Sequence, residues 1–317
     1  MKRHQRGVAL VMAVLIMALA TILAAEVGFR GYLDQRRTMN AFSLDQSFEV
    51  ALGGEAWAAD VLRRDKMQSP DHDDFTEEWA TPIPPIPLDD MGEFEGQLED
   101  LQGRFNLNSL VSYANGGVGQ VDDNAVKRLE RLLEVLELEP KWAKLIADWI
   151  DSDNNPNFPD GAEDPVYTNL SPPYRTANMP ITRASELLSL PEFGPERYRK
   201  LAPYVTALPA GTGINLCTAS PELLDALVEG SRQFTVGREA GKQTRAQRCF
   251  PNKQEFEAGL TPDQKQELGD VVAETSDYFL ATTWVTLGTQ RFTLYSLLYR
   301  ADGANQVRPI LRSYGTL

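Results

Sequence analysis

The chain has 317 residues, 42% of them hydrophobic, with 45 acidic and 31 basic side chains for a formal net charge of −14. That hydrophobic content argues against global disorder, and the acidic balance argues against a nucleic-acid binder, which neutralises phosphate with clustered Lys and Arg. With only His4, His72, Cys217 and Cys249 to offer nitrogen and sulfur, a structural zinc site is all but excluded, while metals bound through oxygen stay open.

The chain begins with a basic leader (Lys2, Arg3, Arg6, ending in Gly7), followed at once by Val8 to Ala25, 18 residues without a charge. That run is about the minimum for a helix to cross a bilayer, and the basic flank assigns the leader to the cytoplasmic side. A cleaved signal peptide, a simple anchor and a prepilin leader all compete for this pattern. The run is long for a signal peptide, and no polar spacer precedes an indistinct small-residue site. The Gly7–Val8 junction resembles a type IV prepilin leader, which a prepilin peptidase cuts after the glycine so that the apolar helix is retained. Most pilins carry Glu at the fifth mature position; here that position is Met12. Phe29, Leu33, Phe42, Phe48, Leu52, Val61 and Leu62 keep helical spacing among charges. One continuous helix to Lys66 is predicted, amphipathic over 26–66 and packed there against its own head.

Residues 71–100 hold 11 acids and no Lys or Arg. Pro82, Pro84, Pro85 and Pro87 forbid a helix, so 67–91 is predicted as an extended solvated loop, with His72 given no chemical role. Phe94, Gly96 and Leu98 alternate with Glu93, Glu95, Gln97 and Glu99 as in a half-buried strand, predicted to continue to Leu107.

Residues 122–151 show helical apolar faces broken at Pro140. Residues 148–164 then hold six carboxylates and three asparagines without a base. Such charges repel strongly if packed together, and a divalent cation would compensate them; oxygen ligands among turn residues suit Ca²⁺, and a solvated acidic loop is the alternative. Asp151, Asp153 and Asn155 start like an EF-hand, but Pro156 replaces the loop glycine and Ala162 the bidentate twelfth ligand.

The run DWIDSDNNPNFPDGAEDPVY, followed by PPYRTANMPITRASELLSLP, resembles the type II secretion minor pseudopilin K family (GspK, general secretion pathway protein K). LQGRFNLNSL at 101–110, INLCTASPELLDAL at 214–227 and Met12 extend the resemblance over nearly the whole chain. It implies an α+β, pilin-like head with a large helical insertion, and calcium held by Asp151, Asp153, Asp160, Glu163 and Asp164, with Asn155 and Asn178 as weaker candidates. Boundaries follow as a leader 1–7, a transmembrane helix 8–25, its continuation 26–66, a head from 67–107 and 276–317, and an insertion 108–275. Residues 181–208 and 214–228 read as helix–hairpin–helix packing units, with Thr182 and Ser220 as N-caps. In an exported head Cys217 and Cys249 should pair, closing a loop worth roughly 3–4 kcal/mol. Residues 278–288 and 291–300 read as a β-hairpin of the head sheet.

The resemblance further implies a non-enzymatic subunit of the bacterial inner membrane with a periplasmic head, at the tip of a pseudopilus. Its partners would be the minor pseudopilins GspI and GspJ, with GspH below, and a tip position would bring it to the exoprotein substrate or the secretin. The rivals are a membrane-anchored periplasmic adaptor never built into a fibre, and a membrane-anchored metal-dependent hydrolase. No Ser–His or Cys–His arrangement supports the hydrolase.

Overall fold

In a computed structural model, described for residues 5–88, 92–112, 119–301 and 306–316, one helix of 64 residues comes first, α1 (Gln5–Gln68). Lys2 and Arg3 of the leader and Asp89 and Asp90 of the first acidic stretch lie outside the described residues. No proline occurs before Pro70, where a fixed φ and a missing N–H bar continuation. From Val8 to Leu44 the large apolar side chains of α1 are exposed, Phe29, Leu33 and Phe42 included. Packing against the head begins at Ser47, not at Glu26 as the amphipathic pattern suggested. From there Ser47, Ala51, Glu55, Ala58, Leu62 and Asp65 form a buried stripe at three- and four-residue spacing.

That stripe lies on a five-stranded antiparallel sheet ordered β1 (Ile83–Leu88), β2 (Gly92–Asp100), β3 (Tyr278–Leu287), β4 (Gln290–Arg300) and β5 (Val307–Tyr314). Phe279, Ala281 and Leu298 pack with Ala58, Val61 and Leu62, and Val285 and Leu294 with Ala51 and Phe94. A Cβ at Gly54 would collide with the Phe94 ring and stand 2.9 Å from Thr283 Cγ2, so glycine lets helix and sheet meet. The buried Glu55 accepts from Ser296 Oγ at 2.6 Å and twice from Arg312 at 2.7 Å, fixing α1 to β4 and β5.

Two expectations need correction, and one strand was not anticipated. The 67–91 segment is not a solvated loop: Asp73, Asp74 and Trp79 are buried, and 83–88 pairs with β2. Its prolines sit on the sheet edge, where a missing N–H costs no ladder bond. β2 ends at Asp100, because the Asp100 carboxylate accepts from Gln102 N at 2.7 Å and turns the chain. Phe105–Asn106 then pairs in parallel with Val205–Thr206 of the insertion. β5 was not assigned from sequence.

The insertion holds α2 (Asp123–Val135), α3 (Trp142–Ile150), α4 (Asp164–Tyr167), α5 (Gly194–Leu201), α6 (Pro221–Ala226), α7 (Gln233–Val236), α8 (Arg238–Arg245), α9 (Lys253–Ala258) and α10 (Pro262–Leu268). Two-residue strand pairs brace it, so it is not purely helical. Leu129, Leu132 and Leu133 of α2 pack with Trp142, Ile146, Phe193 and Leu223 in its core. The regions expected as helix–hairpin–helix units are instead a 3₁₀ turn with α5, and a short strand with α6. Ser220 caps α6 by accepting from Leu223 N, whereas Thr182 donates to Glu186 rather than capping. Cys217 and Cys249 form a disulfide.

Arg300, 2% exposed, sits where head and insertion meet. It donates to Asp65 of α1 at 2.9 Å, to both Asp73 oxygens at 2.5 and 2.6 Å, and to Ser276 O at 2.6 Å. Asp73 also accepts from Ser276 N at 2.7 Å, and its carbonyl accepts from Asn215 Nδ2 at 2.9 Å. Burial, then the like charges of Glu77 and Asp73, hold Asp65 well above the ordinary carboxylate range despite Arg300. Replacing Arg300 by Met strands two buried carboxylates and is expected to cost about 3–5 kcal/mol. Urea unfolding of the full chain in detergent checks this, and Arg300→Lys should recover only part of the loss, because one ammonium cannot span all three acceptor groups.

Candidate functional site

The second acidic stretch folds into a pocket at the end of α3. Asp148 lies on the inner face of the last turn, fully buried, and Asp151 is the C-cap residue, three positions on and on the same side. The loop returns so that Glu163, 2% exposed, opens α4 facing them. Carboxylate oxygens of Asp148, Asp151 and Glu163 all lie within 4.8 Å of one another. Asn157 donates to Asp148 from its backbone and its side chain, which shapes the loop. A Cβ at Gly161 would collide with Asp148 Oδ2 and Asn157 N, so the loop closes only with glycine there.

Among the described residues no Lys, Arg or His pairs with the three carboxylates. Asp151 Oδ1, Glu163 Oε1 and Asn178 Oδ1 are buried and accept no hydrogen bond. Asn178 is held for this at φ 47°, its amide donating to Asp153 O at 3.0 Å and its N–H to Trp149 O at 3.1 Å. Arg175, 79% exposed, reaches Asp164 at 3.6 Å, and Lys144 reaches Phe158 O at 3.4 Å; among the described residues no Lys or Arg pairs with Asp148, Asp151 or Glu163. Two unit charges 4.8 Å apart repel by ~3.5 kcal/mol at an effective dielectric of about 20, so three cannot stay ionised without a counter-charge. Burial first, then neighbouring carboxylates, push Asp151 and Glu163 each up to about 7; burial also raises Asp148. Trp149, Tyr167 and Tyr174 cluster with ring centroids 5.3 to 6.4 Å apart, Tyr167 close enough to Asp148 and Glu163 to feel their charge. An all-oxygen, anionic, buried donor set fits a hard divalent cation.

Of the residues anticipated as ligands, Asp151 and Glu163 converge here, and Asn178 is tied to the same loop at Asp153 O with its own Oδ1 buried and unpaired. Asp153 is half-buried, accepts from Asn155 N at 2.7 Å and adds its charge to those raising Asp151. Asp164 is half-buried and accepts from Thr176 Oγ1 at 3.1 Å. Asn155 and Asp160 are exposed. Asp148, which was not anticipated, joins the cluster; its position three residues before Asp151 on a helix was the available signal. Among the described residues one other buried carboxylate group, Asp65, Asp73 and Glu77, is the one Arg300 answers. His72 Nε2 stands 3.7 Å from Asp74 at the surface.

At the other end of the chain, α1 is long and apolar enough to cross a membrane, and no side chain of that window is buried. Val8 and Met12 are exposed on it, at 58% and 59%.

Residues 103–210 match the family model described as type II secretion system (T2SS), protein K. The chain is 36% identical to type II secretion system protein K of Pseudomonas aeruginosa over 99% of its own length and 94% of that protein. It is 32% identical to the protein of the same name from Pectobacterium carotovorum, over 99% and 98%. Its fold matches a chain in the crystal structure of the GspK–GspI–GspJ complex of the enterotoxigenic Escherichia coli type 2 secretion system. That match has a TM-score of 0.76 at 24% identity, covering 89% of this chain and all of that one.

Because Asp151 and Glu163 titrate near 7 when folded and near 4 when unfolded, the stability they lend the cation-free protein is complete below about pH 4 and lost as pH rises to about 7. In EDTA the difference in melting temperature between wild type and Asp151→Asn should therefore move in favour of Asn as pH rises from 5 to about 8. Thermal melts of the full chain across that range check it.

Proposed function

Because this chain belongs to the type II secretion system protein K family, we propose that it is the minor pseudopilin that caps the tip of the periplasmic pseudopilus and supports its assembly and protein export. The observation that carries this is a division of the molecule. The first part of α1, through Leu44, leaves its apolar side chains without a partner, while the insertion attaches at the opposite end of the head, beside the C-terminus of α1. A helix with an apolar surface of that length needs lipid or other helices to cover it. An insertion at the far end occupies the space a further subunit would need, so a chain of this shape ends a filament rather than repeating along it. Met12 fits the same position, since a subunit with nothing above it needs no Glu to meet an incoming N-terminal amine.

In this reading prepilin peptidase cuts between Gly7 and Val8, α1 spans the inner membrane once, and the head stands in the periplasm, where the disulfide is stable. GspI and GspJ are the partners along α1 by analogy with the complex named above, with GspH below, and the tip meets the exoprotein or the secretin. The role is structural: the family is one of secretion-apparatus components, and the oxygen-lined pocket is a fixing point for the insertion. Ca²⁺ would be held there by Asp151, Glu163, Asn178 and Asp148, with Asp153 and Asp164 beside them. The bound ion would neutralise the carboxylates and lock the loop to α3 and α4.

N-terminal sequencing of the mature protein is expected to begin at Val8; a start near Glu26 or an intact Met1 would contradict the pilin reading. Immunogold labelling of isolated pseudopili should mark one end, and label along the length would contradict the cap. Adding EGTA should lower the melting temperature of the full chain, with the loss absent in Asp151→Asn.

A further inference from the structure

A groove of about 890 Å³ runs beneath α8, where the insertion meets the head. Its floor is aromatic, made by Phe75, Phe234 and Phe250, and Phe75 is 48% exposed. Its roof is α8, none of whose side chains is buried. Gly237, Ala240, Gly241 and Thr244 line it, a set at helical spacing that presents one face of small side chains. A surface helix ordinarily buries one face against its own protein; α8 buries none, although it is firmly held. The buried Asp225 accepts from Ser231 Oγ, Phe234 N and both donors of Thr235, fixing α7 just before it. Arg238 pairs with Glu222, Arg245 Nε donates to Phe250 O at 2.7 Å, and the Cys217–Cys249 disulfide ties down the far side.

The charge here runs against the rest of the molecule. On a chain of −14, residues 231–248 carry five basic side chains against Glu239 alone. On the rim, Arg238 is engaged by Glu222, and Glu255 by Arg248. Lys242 and Arg245 remain: among the described residues neither pairs with a carboxylate, Lys242 is exposed, and Arg245 is half-buried with its Nε on Phe250 O. An apolar slot of this size, roofed by small residues and edged by cations without a carboxylate partner, is complementary to an anionic chain with a bulky apolar anchor.

We propose that this groove docks an acidic peptide segment of another protein. One aromatic or long aliphatic side chain enters between α8 and the aromatic floor, and flanking carboxylates meet Lys242 and Arg245.

The test uses the full chain in lipid nanodiscs, empty discs as reference, and a fluorescent ten-residue peptide of alternating aspartate and phenylalanine read by anisotropy. Binding should weaken with added salt and fall at least about tenfold for Gly241→Trp, which fills the slot, and for Lys242→Glu. Gly241→Ala, whose Cβ would sit 3.7 Å from Phe250, should bind as wild type. Melting temperatures should stay unchanged, because α8 buries no side chain. Equal affinity across the variants, or equally tight binding when serine replaces phenylalanine, would overturn the proposal. It would also fall if phosphatidylglycerol vesicles, and not the peptide, required Gly241 and Lys242, or if Gly241→Trp abolished self-association of the chain.

Discussion

One buried guanidinium holds the two halves of this protein together. Arg300 closes β4, reaches Asp65 on the last turns of the long helix, and grips Asp73, ahead of β1, and Ser276, where the chain leaves the insertion. Around it Asp100, Asn215 and Thr218 continue the network into the insertion, at 2.5 to 3.0 Å. A buried ion pair of this kind adds little net stability compared with apolar packing, but it is unforgiving of any other arrangement. Displace any segment and a charge is left in the interior. The junction therefore fixes where the insertion points relative to α1, which is the geometry that the tip reading depends on.

The same electrostatic reasoning separates the two acidic stretches. The first is answered from within: Arg300 neutralises Asp73 and Asp65, and Arg64 meets Glu78 at 2.9 Å. In the second, among the described residues no base pairs with Asp148, Asp151 or Glu163, and the orphaned oxygens ask for protons or a cation. With Asp151 and Glu163 pushed up to about 7 and Asp148 raised by burial, a divalent ion competes there with protons. Two clusters of similar composition thus have different consequences, decided by whether a guanidinium reaches them.

Much of this was legible in the sequence where the cause is local. The absence of proline before Pro70 marks one helix, Pro140 separates α2 from α3, and alternation reveals β2, β3 and β4. The fold class and the family were readable from long ordered motifs. What was not legible depends on distant partners. Asp73 and Asp74 looked solvated because the arginine that buries Asp73 lies 227 residues away. Phe29, Leu33 and Phe42 share the spacing of Leu62, and only the position of the sheet tells which of them it covers. At the acidic loop, counting carboxylates located the cluster, but Asp148 read as a helix face, and the sequence alone did not show that Asn155 and Asp160 lie exposed outside it.

Amide hydrogen exchange on the full chain tests the central claim, that the Arg300 junction makes head and insertion one cooperative unit. The amides of Asn215, Ser276 and Asp277 should open with the same free energy as those of β3 in the sheet. Opening of the three at a distinctly lower free energy than β3 would show that head and insertion are separate units that merely touch, and would contradict the account.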